Sequence, residues 1–140
     1  MKHKTRVTDF DLFTRSYIET AFWSSTFEAN ADGTPAGKET GRQVPFDDMF
    51  TERDVDMESL INIQDDCARF QKENAHLLSQ WDEEQAGHDF WLTRNGHGAG
   101  FWARDLPHKD ELSKAAKACG EAYLIPDTDQ DGSWVVVVQY

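Results

Sequence analysis

Two histidines, one of them beside a carboxylate, and a ladder of alternating aspartates are the residues of this chain whose types and spacing suggest chemistry. His88-Asp89 offers a histidine–carboxylate pair, with His97 further along the same segment. A catalytic site needs nucleophile, base and orienter to converge, and no third group has fixed spacing to these two. Asp127-Thr128-Asp129-Gln130-Asp131-Gly132 matches the opening of an EF-hand calcium loop, where alternate acids supply oxygens and glycine makes the turn. Position twelve of that loop is Val138 instead of the bidentate glutamate, and the flanks read as strands. A solvated hairpin loop is therefore expected, with Asp127, Asp129 and Asp131 at most a weak calcium site. His97-Gly98-Ala99-Gly100 is similar to the HGGG oxyanion loop of esterases, but no G-x-S-x-G elbow accompanies it. There is no P-loop, dinucleotide fingerprint or HExxH. The sequence makes no positive case for an enzyme, and no cofactor is expected.

The densest segment is residues 86–102, AGHDFWLTRNGHGAGFW. Aromatics on both sides of a glycine-rich turn predict a β-hairpin, with strands at about 88–94 and 99–103. Its tip would present Arg94, Asn95 and His97. Phe90-Trp91 and Phe101-Trp102 could stack nucleobases, making the hairpin a nucleic-acid or small-ligand binding module. Core packing is the favoured reading, because neighbouring strand residues point to opposite faces and aromatics bury much area.

Charge separates the regions further. The 140 residues hold 26 acids and 14 Lys and Arg, net −12. Residues 43–84 alone carry twelve acids and three bases, net −9. Direct binding to DNA or RNA requires a basic face that releases counterions, so none is expected. Eleven of these twelve acids are singled out in three groups: Asp47, Asp48, Asp54 and Asp56; then Glu58, Asp65, Asp66 and Glu73; then Asp82, Glu83 and Glu84. They are expected along one loop and the outer face of the second helix. Charge runs are usually solvated surface. The sharper reading is a face shaped like a phosphate backbone, offered to a partner's Lys and Arg.

These residues must be positioned by elements. Phe10, Phe13, Tyr17, Ile18, Ala21 and Phe22 recur at helical spacing and predict a helix over 9–23, capped by Thr8 or Asp9. Turn formers from Asn30 to Pro45 predict an irregular loop over about 24–53, tacked to the core by Phe46 and Phe50. Leu60, Ile63, Cys67, Phe70, Asn74, Leu77 and Trp81 predict a long helix from Val55 to Gln80. A coiled-coil dimer with Asn74 fixing register is the alternative to a helix crossing its own core. A third helix over 108–119 follows Pro107, then strands at 121–125 and 133–140, the second with four valines that suit burial on both faces or cover by helices. Cys67 and Cys119 fall on the apolar stripes of these helices and are expected as buried free thiols. The expected fold is one α+β domain over 1–140, order α-α-β-β-α-β-β, with an antiparallel sheet of about four strands in two hairpins. Residues 1–9 are basic with no apolar run behind them, so no signal peptide is expected. No run of about 18 apolar residues suggests a membrane span.

The run GHDFWLTRNGHGAGFW resembles one found in small proteins encoded by bacteriophages, prophages and related mobile elements. The likeness is close over residues 85–104. It is looser over FWSST at 22–26, the second-helix spacing and the helix-plus-strand tail. It implies a phage-type accessory protein in a bacterial cytoplasm and brings no site residues with it. With the acidic stretch, it leads to a non-enzymatic protein that blocks a basic host protein through an acidic surface. That partner would be a nucleic-acid-handling or defence protein, in an anti-defence or DNA-mimic role. Either a monomer or a homodimer fits.

Overall fold

In the computed structural model, which describes residues 9–140, the first helix begins one turn later than its periodicity suggests. Asp11, not Asp9, caps α1 (Leu12–Ser24), its carboxylate accepting the Thr14 N–H at 2.8 Å. Thr8 and the basic residues before it lie outside the described residues. Helix α1 is covered on most sides: Phe13, Tyr17, Ile18, Ala21 and Phe22 are buried, and so are Thr14 and Thr20. Only the stripe of Leu12, Arg15, Glu19 and Trp23 reaches solvent.

The stretch expected to be irregular contains a strand pair. β1 (Thr26–Glu28) runs antiparallel to β2 (Gln43–Pro45), with Phe27 opposite Val44. The turn formers from Asn30 to Gly41 fall in the connection, while Pro45 ends β2; the connection closes through the Ala29–Pro35 bridge and the Thr40 hydroxyl donating to Glu28. Phe46 and Phe50 do tack this region down, edge-on and tilted against Phe27 and each other.

The long second helix is shorter than expected. α2 (Met57–Glu73) is capped by Asp56 and buries Leu60, Ile63, Cys67 and Phe70. Asn74 stops it: backbone N–H and side-chain amide both donate to the Phe70 carbonyl. The chain then makes a separate short turn, α3 (Ala75–Leu78). Asn74 is thus a C-terminal cap within one chain and sets no coiled-coil register.

The predicted hairpin at 88–103 is not formed; its first half is a helix, α4 (Glu83–Arg94). Asp82 accepts the Gln85 N–H at 3.0 Å, and Glu83 and Glu84 occupy the first turn, where the helix dipole favours acids. Phe90 and Trp91 are both buried, which neighbours on a half-exposed strand cannot be and neighbours on a central helix can. Gly87 serves packing and no turn: a Cβ there would stand 2.0 Å from the Phe13 carbonyl oxygen of α1. Past Arg94 the chain turns through Gly96 (φ +69) and returns Phe101 to the core, its N–H donating to the Thr93 hydroxyl.

α5 (Lys109–Ala118) buries Leu112 and Ala116, as its periodicity predicts. Cys119 lies just beyond its end and is exposed, correcting the expectation of a buried thiol. Cys67 is fully buried, and burial pushes its thiol pKa well up. β3 (Tyr123–Thr128) and β4 (Trp134–Gln139) form the expected closing hairpin. The fold is mixed α+β, but the four strands among the described residues make two separate two-stranded sheets. The outer edge of β4 is taken by the start of α2: Asp56 N–H donates to the Val136 carbonyl, and Val138 N–H to the Ser59 hydroxyl. Among the four valines only Val136 is fully buried.

The core runs through the helices. Phe70 stacks on Phe90 at 4.1 Å between centroids, and Phe13 and Phe101 continue the stack at 6.1 and 6.0 Å. Among the described residues no helix is long and apolar enough to cross a membrane.

Candidate functional site

The polar residues of α4 divide between its two ends. At the C-terminal end Arg94 is 3% exposed and carries an ion pair to Asp66, itself 7% exposed. The guanidinium also donates to the Tyr17 hydroxyl and to the carbonyls of Cys119 and Gly120. Phe90 and Tyr140 lie against its faces at 5.0 and 5.2 Å. Asn95 is occupied as well: its carbonyl oxygen accepts the Ala122 N–H, and its amide donates to the Trp91 carbonyl. Arg94 and Asn95 therefore tie α4 to α1, α2 and the start of β3. They form no exposed tip, and a binding module built on one loses its geometry.

The N-terminal end is open. The exposed stripe of α1 lies between two walls, and two clefts meet along it. One, of about 600 Å³, lies between α1 and residues 47–52, lined by the exposed Arg15, Asp47 and Glu52 and by the buried Ile18, Phe22 and Phe50. The other, of about 450 Å³, lies between α1 and the start of α4, where Asp82, Glu84 and His88 face Ser16 and Thr20. Glu19 and Trp23 line both. Trp23, 50% exposed, is the aromatic ridge between them, stacked on the His88 ring at 5.7 Å and 28°.

His88 is held from below. Its Nδ1 is 2.9 Å from the buried Thr20 hydroxyl. Burial holds its pKa below the ordinary histidine value, against the pull of Asp89 and Glu19. Asp89 does not form a dyad with it. It is fully buried, turned away on the helix, and bonded to Gln85 and twice to Arg104 at 2.8 and 3.1 Å. His97 lines a different, smaller cleft with Asn95 and Ser25, so the two histidines do not converge. Thr20 and His88 make a hydroxyl–imidazole pair, but the neighbouring Asp89 carboxylate is engaged by Gln85 and Arg104 and does not orient it. The arrangement offers instead an exposed indole over a neutral imidazole, rimmed by carboxylates.

The eleven acids singled out in sequence do not share one face. Asp47, Asp82 and Glu84 line the groove, joined by Glu19 and Glu52. Asp48 and Glu83 are exposed neighbours of that rim. Glu58, Asp65 and Glu73 are exposed on α2. Asp54 and Asp56 hold backbone N–H groups at helix starts, as Asp82 does beside the groove, and Asp66 is the buried partner of Arg94. Asp127 is exposed near the end of β3, and Asp129 and Asp131 are exposed in the β3–β4 loop; Asp129 accepts the N–H of Asp131 and Ser133, as in a tight turn. Among the described residues no three His, Cys, Asp or Glu side chains come together as metal ligands.

Trp23, Glu19, Thr20 and Arg104 were not singled out in sequence. An aromatic on the polar stripe of an otherwise buried helix, at i+4 and i+8 from Glu19 and Arg15, was the available signal. Side-chain hydrogen bonds join the two helices beside this ridge: Thr20 and Ser24 of α1 bond His88 and Trp91 of α4. Compared with known proteins, the chain matches no family model, no curated protein and no solved structure.

Proposed function

We propose that this is a binding protein that takes up a basic segment of a partner protein in the acidic groove astride α1. The observation that carries this reading is Trp23: a half-exposed tryptophan flanked by clefts rimmed by Glu19, Asp47, Glu52, Asp82 and Glu84. Tryptophan anchors in partly desolvated clefts dominate many interfaces, and complementary charge steers the encounter. In the setting implied by the phage resemblance, the partner is a host nucleic-acid-handling or defence protein. Carboxylates occupying its basic surface would exclude the polyanion it normally holds. Activity resides in occupancy, with no bond made or broken.

The test is affinity capture from bacterial lysate with quantitative mass spectrometry, comparing two charge-neutralised variants. Neutralising the groove (Asp47→Asn, Glu52→Gln, Glu84→Gln) should abolish capture of a basic protein. Neutralising the α2 surface (Glu58→Gln, Asp65→Asn, Glu73→Gln) should leave it. Equal loss in both would reduce the effect to net charge and end the proposal. Asp66 has no place in such a series, since its replacement strands Arg94.

A further inference from the structure

We infer, resting on the groove reading above, that the segment it accepts carries an arginine close in sequence to a large apolar side chain, one on each side of Trp23. The two clefts differ in their floors. Between α1 and residues 47–52 the floor is apolar, built from the buried Ile18, Phe22 and Phe50. Between α1 and α4 it is polar: Ser16, Thr20, Gln85 and His88. An apolar side chain gains from the first, where it covers hydrocarbon already half sheltered from water. A cation gains from the second, where Glu19 and Glu84 stand on the rim.

Arginine fits that second cleft better than lysine. The indole of Trp23 stacks on His88 and is half-exposed, which leaves ring surface beside the polar cleft for a planar cation. A guanidinium is planar, stacks flat on such a ring and bonds carboxylates through a two-pronged fork; an ammonium is drawn to the same groups only as a compact point charge. His88 is neutral around pH 7 because burial depresses its pKa, so it adds no repelling charge beneath the platform. Arg104 lines the same cleft, but Asp89 fixes it through two hydrogen bonds and balances its charge.

The experiment is a peptide array in which Arg or Lys is paired with Leu, Phe or Ser at varied spacing and constant net charge. Binding is read by fluorescence anisotropy for the best spots. Arg-Leu and Arg-Phe peptides should bind about tenfold tighter than their Lys and Ser counterparts. Trp23→Ala and Glu19→Gln/Glu84→Gln should each remove the preference, with folding checked by circular dichroism. If Arg and Lys peptides bind equally and Trp23→Ala still abolishes both, the groove stands and the arginine inference falls. If no basic peptide binds, the groove reading itself falls, and this inference with it.

Discussion

The two ends of α4 carry similar polar residues and put them to opposite uses. At the C-terminal end Arg94 spends its donors on Asp66, Tyr17 and two carbonyls, sandwiched between Phe90 and Tyr140. Towards the N-terminal end His88 hydrogen-bonds Thr20 and stacks against a half-exposed Trp23. Density of polar residues in a segment therefore says little about function. What separates the ends is whether their hydrogen-bonding capacity is closed inside the protein or left facing a cleft.

The largest test of this division is Asp66→Ala. Breaking a buried pair by removing one partner costs about 3–5 kcal/mol, because the remaining charge is uncompensated. Urea unfolding should show that loss. Replacing both members by apolar residues, Asp66→Leu with Arg94→Met, often restores stability elsewhere. Here it should not, since the carbonyls of Cys119 and Gly120 lose their donor as well. Full recovery in the double variant would mean the C-terminal end is an ordinary ion pair and no joint between elements.

Next comes a pair of glycines from the same motif. Gly87→Ala places a Cβ against the Phe13 backbone, which cannot yield without parting α1 from α4. Overpacking of this kind costs about 1–3 kcal/mol or more. Gly98→Ala meets nothing within 4 Å and needs no positive φ, so it should change stability by less than about 0.5 kcal/mol. Thermal melts that rank the two alike would contradict the packing of α1 on α4.

That pair also marks where the sequence was readable. The valine run located the closing hairpin, and periodicity located α1, most of α2 and α5, because each keeps a solvent-exposed stripe. It failed at α4, which is buried nearly all round, so Phe90 and Trp91 show no period. The glycines then suggested a turn. The missed signal was at the helix start: Asp82 with Gln85 three residues on is a capping pattern, hidden because Asp82-Glu83-Glu84 read as part of an acidic surface. The same error spread the acids over one face when four of them serve backbone caps or the buried pair. The strands at 26–28 and 43–45 were hidden for a different reason, being three residues long and held by Phe27 of β1 against Phe46 just past β2.

At the open end, effects on stability should be small and effects on binding large. Trp23→Ala exposes little that was buried and removes one ring stack, so a loss of about 1 kcal/mol is expected in urea. Loss of capture of the basic partner should be complete. A destabilisation as large as that of Asp66→Ala would place Trp23 with the structural residues instead.

The smallest effect is a proton's. Burial keeps the folded-state pKa of His88 below its unfolded value of about 6.5. Between the two values the unfolded chain binds a proton that the folded chain does not, so stability rises with pH there. The contribution is fully present above about pH 6.5 and is lost as pH falls through the folded value. His88→Gln, compared with the parent chain across pH 5 to 7.5, should remove that part of the slope and leave the rest to other groups. The protonated ring would also put a positive charge under Trp23, so binding of a basic segment should weaken over the same range. If His88→Gln leaves both the stability slope and the acid weakening unchanged, the imidazole is not the neutral floor of the groove. The open end of α4 would then have to be explained by its carboxylates alone.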